Sequence, residues 1–235
     1  MSVGTYLSSF LATSCLSCGT IIGPADLFCA ECDRYALRLV RACPRCGGFI
    51  DRPGENDEDC PSCRGKNFAF DRAASPFIYA GAIAKAITTM KYGPVYRAAV
   101  AMGRFLAGHI PDDMRAADRV VYPPMSRMAM FLRGFNQAAV IAEETARHAG
   151  LFLDTHTLRK VKRTKQQAEL SFEERRKNLS GAFAITRPVA GKRFILVDDV
   201  ATTLATADEI ARLLKMNGAD KVFVLTFARK SLHFD

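Results

Sequence analysis

The sequence predicts an α/β chain: an open parallel sheet with helices on both faces, preceded by a small double zinc-knuckle domain. Three observations predict it. From residue 75 onward, short apolar runs alternate with segments of helical periodicity, the order that builds crossovers and a parallel sheet. Four Cys-x-x-Cys pairs lie in the first 63 residues and none follows. The run Phe194-Ile195-Leu196-Val197 stops at Asp198 and Asp199, passes through Ala201-Thr202-Thr203-Leu204-Ala205-Thr206, and opens a helix. In open α/β sheets ligands sit at the carboxyl ends of strands, and a helix N-terminus there offers N–H groups to an anion.

The 235 residues suit one small and one mid-sized domain, expected over 1–70 and 71–235. At 49% hydrophobic residues, a real core is within reach. No apolar run nears the ~20 residues of a membrane span. Residues 1–13 lack the basic segment of a secretory leader. Tyr6, Leu7, Phe10 and Leu11 fit a short amphipathic helix packed on the rest of the chain. Residues 1–72 hold 8 Lys and Arg against 9 Asp and Glu, which leaves 25 against 15 in the remainder. The formal charge of +9 therefore belongs to the second domain and points to phosphate-bearing partners.

In the first domain the pairs are Cys15 with Cys18, Cys29 with Cys32, Cys43 with Cys46, and Cys60 with Cys63. Each sets two sulfurs on one tight turn. Gly19 and Gly47 follow the first and third pairs, where a residue without a Cβ eases the turn. Zinc takes four such ligands in a tetrahedron, so two closed Cys₄ sites are expected, with no open position for catalysis. The metal is structural, because this stretch holds too few apolar residues for a core of its own. Disulfides are the alternative, but pairwise spacing without an export signal favours metal and a reducing cytoplasm. Pairing of neighbours in sequence is simplest, and a cross-braced arrangement stays open. Residues 51–59 read as a solvated acidic loop with a Pro53-Gly54 turn, and 67–74 as the domain boundary.

In the second domain, 77–80 read as a strand broken by Gly81. Helical spacing follows at Ile83, Ile87 and Met90, ended by Lys91-Tyr92 before Gly93-Pro94. An alanine-rich helix over 97–110 closes at Pro111. Residues 120–122 form a short buried strand stopped by Pro123-Pro124. A helix over 138–148 ends at Gly150 as C-cap, before a weak strand at 151–153. Residues 159–177 carry eight basic side chains against three acidic. Within them, Ser171-Phe172-Glu173-Glu174 has capping-box spacing and starts a helix at Phe172. Strands at 182–185 and 194–197, a helix over 206–217 capped by Gly218, and a strand over 221–228 complete the pattern. The four histidines have no partner at metal-ligand spacing, and Met125, Met128 and Met130 are expected to fill packing gaps.

Two acids beside a hydroxyl-lined anion cradle suit a sugar phosphate. Asp198 and Asp199 would accept hydrogen bonds from ribose hydroxyls, while Thr202, Thr203, Thr206 and the turn amides hold phosphate. An ordinary buried strand followed by a capped helix is the structural alternative. The stretch resembles the phosphoribosyl pyrophosphate (PRPP) signature of type I phosphoribosyltransferases: an apolar strand, two acids, then Thr-Thr-Gly-x-Thr. Leu204 stands where that signature has glycine, and puts a Cβ and an isobutyl group beside the phosphate site.

A second constellation is Leu132-Arg133-Gly134-Phe135-Asn136-Gln137, just after a strand. Arg133 can bind pyrophosphate bidentately, Gly134 lets the backbone approach it, and Asn136 and Gln137 can donate amide hydrogen bonds. The alternatives are an ion pair for Arg133 and a helix cap for Asn136. Phe131 and Phe135 could stack on bases if exposed, but a packed role is expected for both. A third stretch, Gln166-Gln167-Ala168-Glu169-Leu170-Ser171, precedes Arg175, Asn178 and Gly181-Ala182-Phe183. In this order, with the knuckles and the Asp-Asp-x-x-Thr-Thr loop, the motifs resemble the ComF family of phosphoribosyltransferase-like proteins over nearly the whole chain.

That resemblance implies a type I phosphoribosyltransferase fold with a zinc-ribbon-like N-terminal domain. It implies PRPP, with Mg²⁺, bound at Asp198, Asp199, Ala201, Thr202, Thr203, Leu204, Ala205 and Thr206, and at Arg133 and Gly134. Lys162, Arg163 and Lys165 would form a flap that closes over the pyrophosphate. The basic stretch could instead track a nucleic acid backbone, or be a solvated loop. The family is linked to single-stranded DNA uptake alongside other competence proteins, or to use of DNA as a nutrient. Two functions are therefore expected in competition. One is phosphoribosyl transfer with Asp198 and Asp199 as catalytic residues. The other, favoured by Leu204, is an inactive scaffold that binds single-stranded DNA.

Overall fold

The computed structural model describes residues 13–24, 26–50, 60–92, 96–162 and 172–231. The expected N-terminal helix, the acidic loop 51–59, Arg163, Lys165 and Ser171 lie outside these. The cysteine-rich part contributes β1 (Thr13–Ser14), β2 (Ile21–Ile22) and a short α1 (Ala30–Asp33). Then come β3 (Arg72–Ala74), β4 (Phe77–Ile78), α2 (Gly81–Tyr92), α3 (Tyr96–Ala107), β5 (Arg119–Val121), α4 (Arg127–Arg133) and α5 (Gln137–Ala149). The chain closes with β6 (Leu158–Lys160), α6 (Phe172–Leu179), β7 (Phe183–Ile185), β8 (Arg193–Ala201), α7 (Ala205–Met216) and β9 (Lys221–Arg229).

The sheet is parallel throughout. β9 and β8 form its centre, in register from Arg193 opposite Lys221 to Ala201 opposite Arg229. β5 lies on the far side of β8, and β3 and β4 follow one another along β9. Beyond β5, Leu153 bridges Val120 in parallel, so the weak strand expected at 151–153 shrinks to one bridge. The strand expected at 182–185 forms as β7, but it pairs antiparallel with β6 outside the sheet.

Side-chain alternation along the strands divides the core in two. Ile195, Val197, Phe223, Leu225 and Phe227 face α2, α3 and α5. Phe194, Leu196, Val222 and Val224 face α7 and the β6–β7 ribbon. Coverage on both faces explains why 222–228 reads as an apolar run interrupted only by Thr226. α3 and α5 pack closely at Gly103, where a Cβ would meet the Ile141 carbonyl oxygen at 2.6 Å.

The cysteine units share these cores. Cys15, Phe28 and Ala36 join the α2/α3/α5 side. Cys43, Cys46, Cys60, Cys63, Phe68 and Phe70 join the α7 side. Between them the chain passes the sheet edge, where Arg38 bridges Phe77 of β4 in antiparallel fashion. That passage covers an edge that would otherwise offer unpaired backbone groups.

Three expectations need correction. β8 does not stop at Val197 but runs on through both acids to Ala201, because β9 continues to pair with it. Met128 and Met130 are exposed rather than filling gaps, and Phe131 is 84% exposed rather than packed. α4, about two turns long, carries all three just after the loop that follows β5. No helix among the described residues is long and apolar enough to cross a membrane.

Candidate ligand site and metal centres

The connection after β5 leads through α5, on one face, to the bridge at Leu153 on the outer side of β5. The connection after β8 leads through α7, on the opposite face, to β9. The strand order therefore reverses between β5 and β8. Such a switch point leaves a crevice at the carboxyl ends of the strands, where ligands of open α/β sheets bind. The β5–α4 loop and the β8–α7 turn flank it.

The continuation of β8 sends the two acids to opposite faces of the sheet. Asp198, opposite Thr226 in the register, lines a pocket on the α7 side together with residues 201–206. Asp199 turns to the other face, where its Oδ2 lies 2.9 Å from Nζ of Lys91 at the end of α2. Burial, and then the neighbouring Asp199 carboxylate, push Asp198 up to about 7. Lys91 loses hydration in the same place, but the Asp199 charge and hydrogen bond outweigh that and hold its ammonium above the usual range.

The turn 201–206 has an unusual backbone. Leu204 sits at φ 65° and ψ 6°, the one non-glycine residue with positive φ among the described residues. The leucine thus sits in the left-handed region that favours glycine, the residue the signature has at this position. Its side chain is 3% exposed and belongs to the core that includes Leu179 and Leu214. α7 starts directly afterwards, and first-turn N–H groups of a helix have no intrahelical partners. From the end of β9 the buried Arg229 donates to the Ala201 oxygen at 2.9 Å and also to the Thr202 oxygen. A fixed cation thus holds the turn from beneath. In the first turn of α7, Asp208 accepts the Ala69 N–H at 2.6 Å and pairs with Arg212 at 2.8 Å.

Across the crevice, Ser126 caps α4 through the Ala129 N–H, and Gly134 ends it at φ 77°. The Arg133 side chain lies outside the described residues. Asn136 is the cap of α5: it accepts from the Ala139 N–H at 3.4 Å and donates to the Pro123 oxygen at 3.0 Å. Phe135 packs edge-on against Tyr96. Gln137 is buried, and its Nε2 has no hydrogen-bond partner among the described residues. Lys162 is exposed at the end of β6 and is not part of the pocket wall, although its ribbon packs on the same face.

The pocket thus unites Asp198 and residues 201–206, while Asp199 stands one face away. Arg133 and Gly134, at the C-terminal end of α4, reach the crevice only by their place in the connection from β5 to α5. Sequence reasoning missed Lys91, read as a helix end, and Arg229, a charge closing an apolar strand. The second signal was visible: a charge at the end of a strand buried on both faces needs a partner.

The cysteines pair as sequence neighbours. Cys15, Cys18, Cys29 and Cys32 form one group, and Cys43, Cys46, Cys60 and Cys63 the other, with sulfurs within 4.8 Å of one another. This excludes the cross-braced alternative. The contacts of Cys18 with Cys29, Cys43 with Cys63 and Cys46 with Cys60 are each 3.7 Å. A tetrahedron with ~2.3 Å zinc–sulfur bonds has an edge of about 3.8 Å, so both groups fit Zn²⁺. The Gly48 N–H points at the Cys46 sulfur from 3.4 Å, as expected around a thiolate ligand. All four cysteines of the second group are buried, whereas Cys18 of the first is exposed.

No family model matches the chain. The DNA utilization protein YhgH of Salmonella typhi is 32% identical over 206 residues, 86% of this chain and 89% of that protein. Competence protein F of Haemophilus influenzae is 23% identical over 232 residues, 95% of this chain and all of that protein. The chain belongs to the ComF family. The parallel sheet, the helices on both faces and the two Cys₄ groups agree with the fold expected for a ComF member. Among solved structures, the glutamine PRPP amidotransferase from B. subtilis overlaps 56% of this ComF chain and 26% of its own, at 24% identity and a TM-score of 0.39.

Proposed function

We propose that this ComF-family protein binds PRPP, with Mg²⁺, in the crevice between β5 and β8, and uses that site in DNA utilisation. The observation that carries the reading is the turn 201–206, where Leu204 sits in the left-handed region that favours glycine, beside Asp198 at a helix N-terminus. Asp198 takes the ribose hydroxyls. Thr202, Thr203, Thr206 and the first-turn amides take the 5′-phosphate. Arg133 and the flap residues Lys162, Arg163 and Lys165 take the pyrophosphate, whose charge Mg²⁺ shares. In transfer, a lone pair of the acceptor forms the new bond to ribose C1 while the C1–O bond breaks and its electrons leave with pyrophosphate. Carboxylates near C1 favour the positive charge that develops there. The Cys₄ groups hold structural Zn²⁺, and 1–70 form the zinc-bearing part of the molecule.

Calorimetry with PRPP and Mg²⁺ tests the site. Saturable binding at one ligand per chain is expected, and no heat at millimolar PRPP would overturn the reading. The exposure of Phe131 favours a second role, since an exposed ring on a basic protein can stack on single-stranded bases. Fluorescence anisotropy with labelled single-stranded DNA across a salt series tests it. Phe131→Ala should weaken binding, and no binding by the wild type at low salt rules the role out.

A further inference from the structure

We propose that Lys91 is the diphosphate-binding cation of the site, held ready by Asp199 until the ligand arrives. The proposal rests on the PRPP reading and adds a residue that the sequence motifs do not contain.

The side chains of Lys91 and Asp199 are 22% and 11% exposed, and their charged atoms lie 2.9 Å apart. A pair so well covered is a poor choice for stability alone, because lost hydration offsets much of the attraction. Its location gives it another use. Asp199 sits near the carboxyl end of β8, one residue from the Asp198 that lines the pocket. An anionic ligand entering there approaches two carboxylates, and Asp199 must be neutralised or engaged for it to settle.

The pleat of β8 also separates the ends of the ligand. The turn 201–206 opens on the α7 face and offers the phosphate cradle. Lys91 comes from α2 on the opposite face, the face that α5 covers after the Arg133 loop. PRPP carries a phosphate at one end of its ribose and a diphosphate at the other. Straddling the end of β8, it places the 5′-phosphate on the α7 side and the diphosphate on the α2 side. Lysine suits the transfer between partners: a compact charge on a flexible stem can leave Asp199 and follow the diphosphate. Asp199 is then free to accept a hydrogen bond from the sugar. In this arrangement Lys91 touches the leaving group.

Calorimetry of Lys91→Met with PRPP and Mg²⁺, and with ribose 5-phosphate as a ligand lacking the diphosphate, tests the proposal. The variant should lose at least tenfold in PRPP affinity and less than twofold in ribose 5-phosphate affinity. Lys91→Arg should recover most of the PRPP affinity. Equal losses for both ligands, or no loss for either, would show that Lys91 only ties α2 to the sheet and would overturn the proposal. Wild type that binds ribose 5-phosphate but not PRPP, or binds neither, removes the PRPP reading and this inference with it. Should Lys91→Met fail to fold, Lys91→Gln, one atom shorter but polar and uncharged, is read by the same criteria.

Discussion

Leu204 holds a backbone conformation in which a Cβ costs about 1–2 kcal/mol, while its side chain is buried in the core under the ligand turn. The two effects oppose each other in Leu204→Gly. Glycine relieves the strain, but truncating a buried leucine costs about 2–5 kcal/mol. We expect the variant to be less stable by roughly 1–4 kcal/mol in urea unfolding, with PRPP affinity changed less than threefold, because the turn already has a geometry that favours glycine. A large gain in affinity would show that the isobutyl group obstructs the phosphate after all. Asp198 gives a pH signature. Its folded pKa is raised to about 7, so the folded chain keeps a proton that the unfolded chain releases near 4. Its contribution to stability therefore falls as pH rises between those values and stays lost above them. Asp198→Asn should be more stable than wild type at pH 8 by on the order of 4 kcal/mol, and the gap should narrow towards pH 5. A gap independent of pH in thermal unfolding would exclude this role for the carboxyl. The acids and threonines were legible in the sequence because they are contiguous. Their division between two faces was not, since it depends on how far β9 keeps pairing with β8. Lys91 was hidden because it ends a helix and its partner Asp199 lies on β8, far away in sequence.

At the scale of elements, the turn 201–206 depends on β9 as much as on β8. Arg229 donates to the Ala201 and Thr202 oxygens, and the Ala201 oxygen also accepts from the Lys230 N–H at 2.9 Å. Arg229→Met keeps much of the bulk but removes the charged hydrogen bonds to both carbonyls. A hydrogen bond from a charged donor contributes about 1.5–3 kcal/mol. The variant should lose stability of that order and at least tenfold in PRPP affinity, read by thermal unfolding and calorimetry. Wild-type affinity in a destabilised variant would mean that the turn holds its shape without the arginine. Helices α2, α3, α5 and α7 were legible from periodicity and caps, with ends displaced by a few residues. The β6–β7 ribbon was not, because β6 lies in a charged stretch whose composition reads as loop. α4 was hidden for a similar reason: its Met128, Met130 and Phe131 are exposed, so these apolar residues, read as core, mark no buried stripe.

For the whole molecule, the cysteine pattern announced two metal sites but not their placement. Read alone, 1–70 looks like an appendage that zinc holds together. In the fold the first Cys₄ group packs on one face of the sheet and the second on the other. The second group is joined to the ligand turn twice. It shares a core with Leu204, and Ala69, just beyond it, hydrogen-bonds Asp208 in the first turn of α7. Structural zinc sites contribute about 10–16 kcal/mol of apparent binding energy at neutral pH, as much as the whole stability of a typical domain. Metal removal should therefore destabilise the sheet as well as the knuckles. Dialysis against a strong chelator is expected to release two Zn²⁺ per chain, lower the melting temperature by more than about 10 °C in one transition, and abolish PRPP binding. The two sites should differ. Cys46→Ser removes a ligand from the fully buried group and should lose both stability and PRPP affinity. Cys18→Ser opens the group with an exposed ligand, on the far face from the phosphate turn, and should cost stability with a much smaller loss of affinity. A metal-free chain that melts at the wild-type temperature, or equal losses of affinity in the two variants, would show that the Cys₄ groups do not support the site in this way.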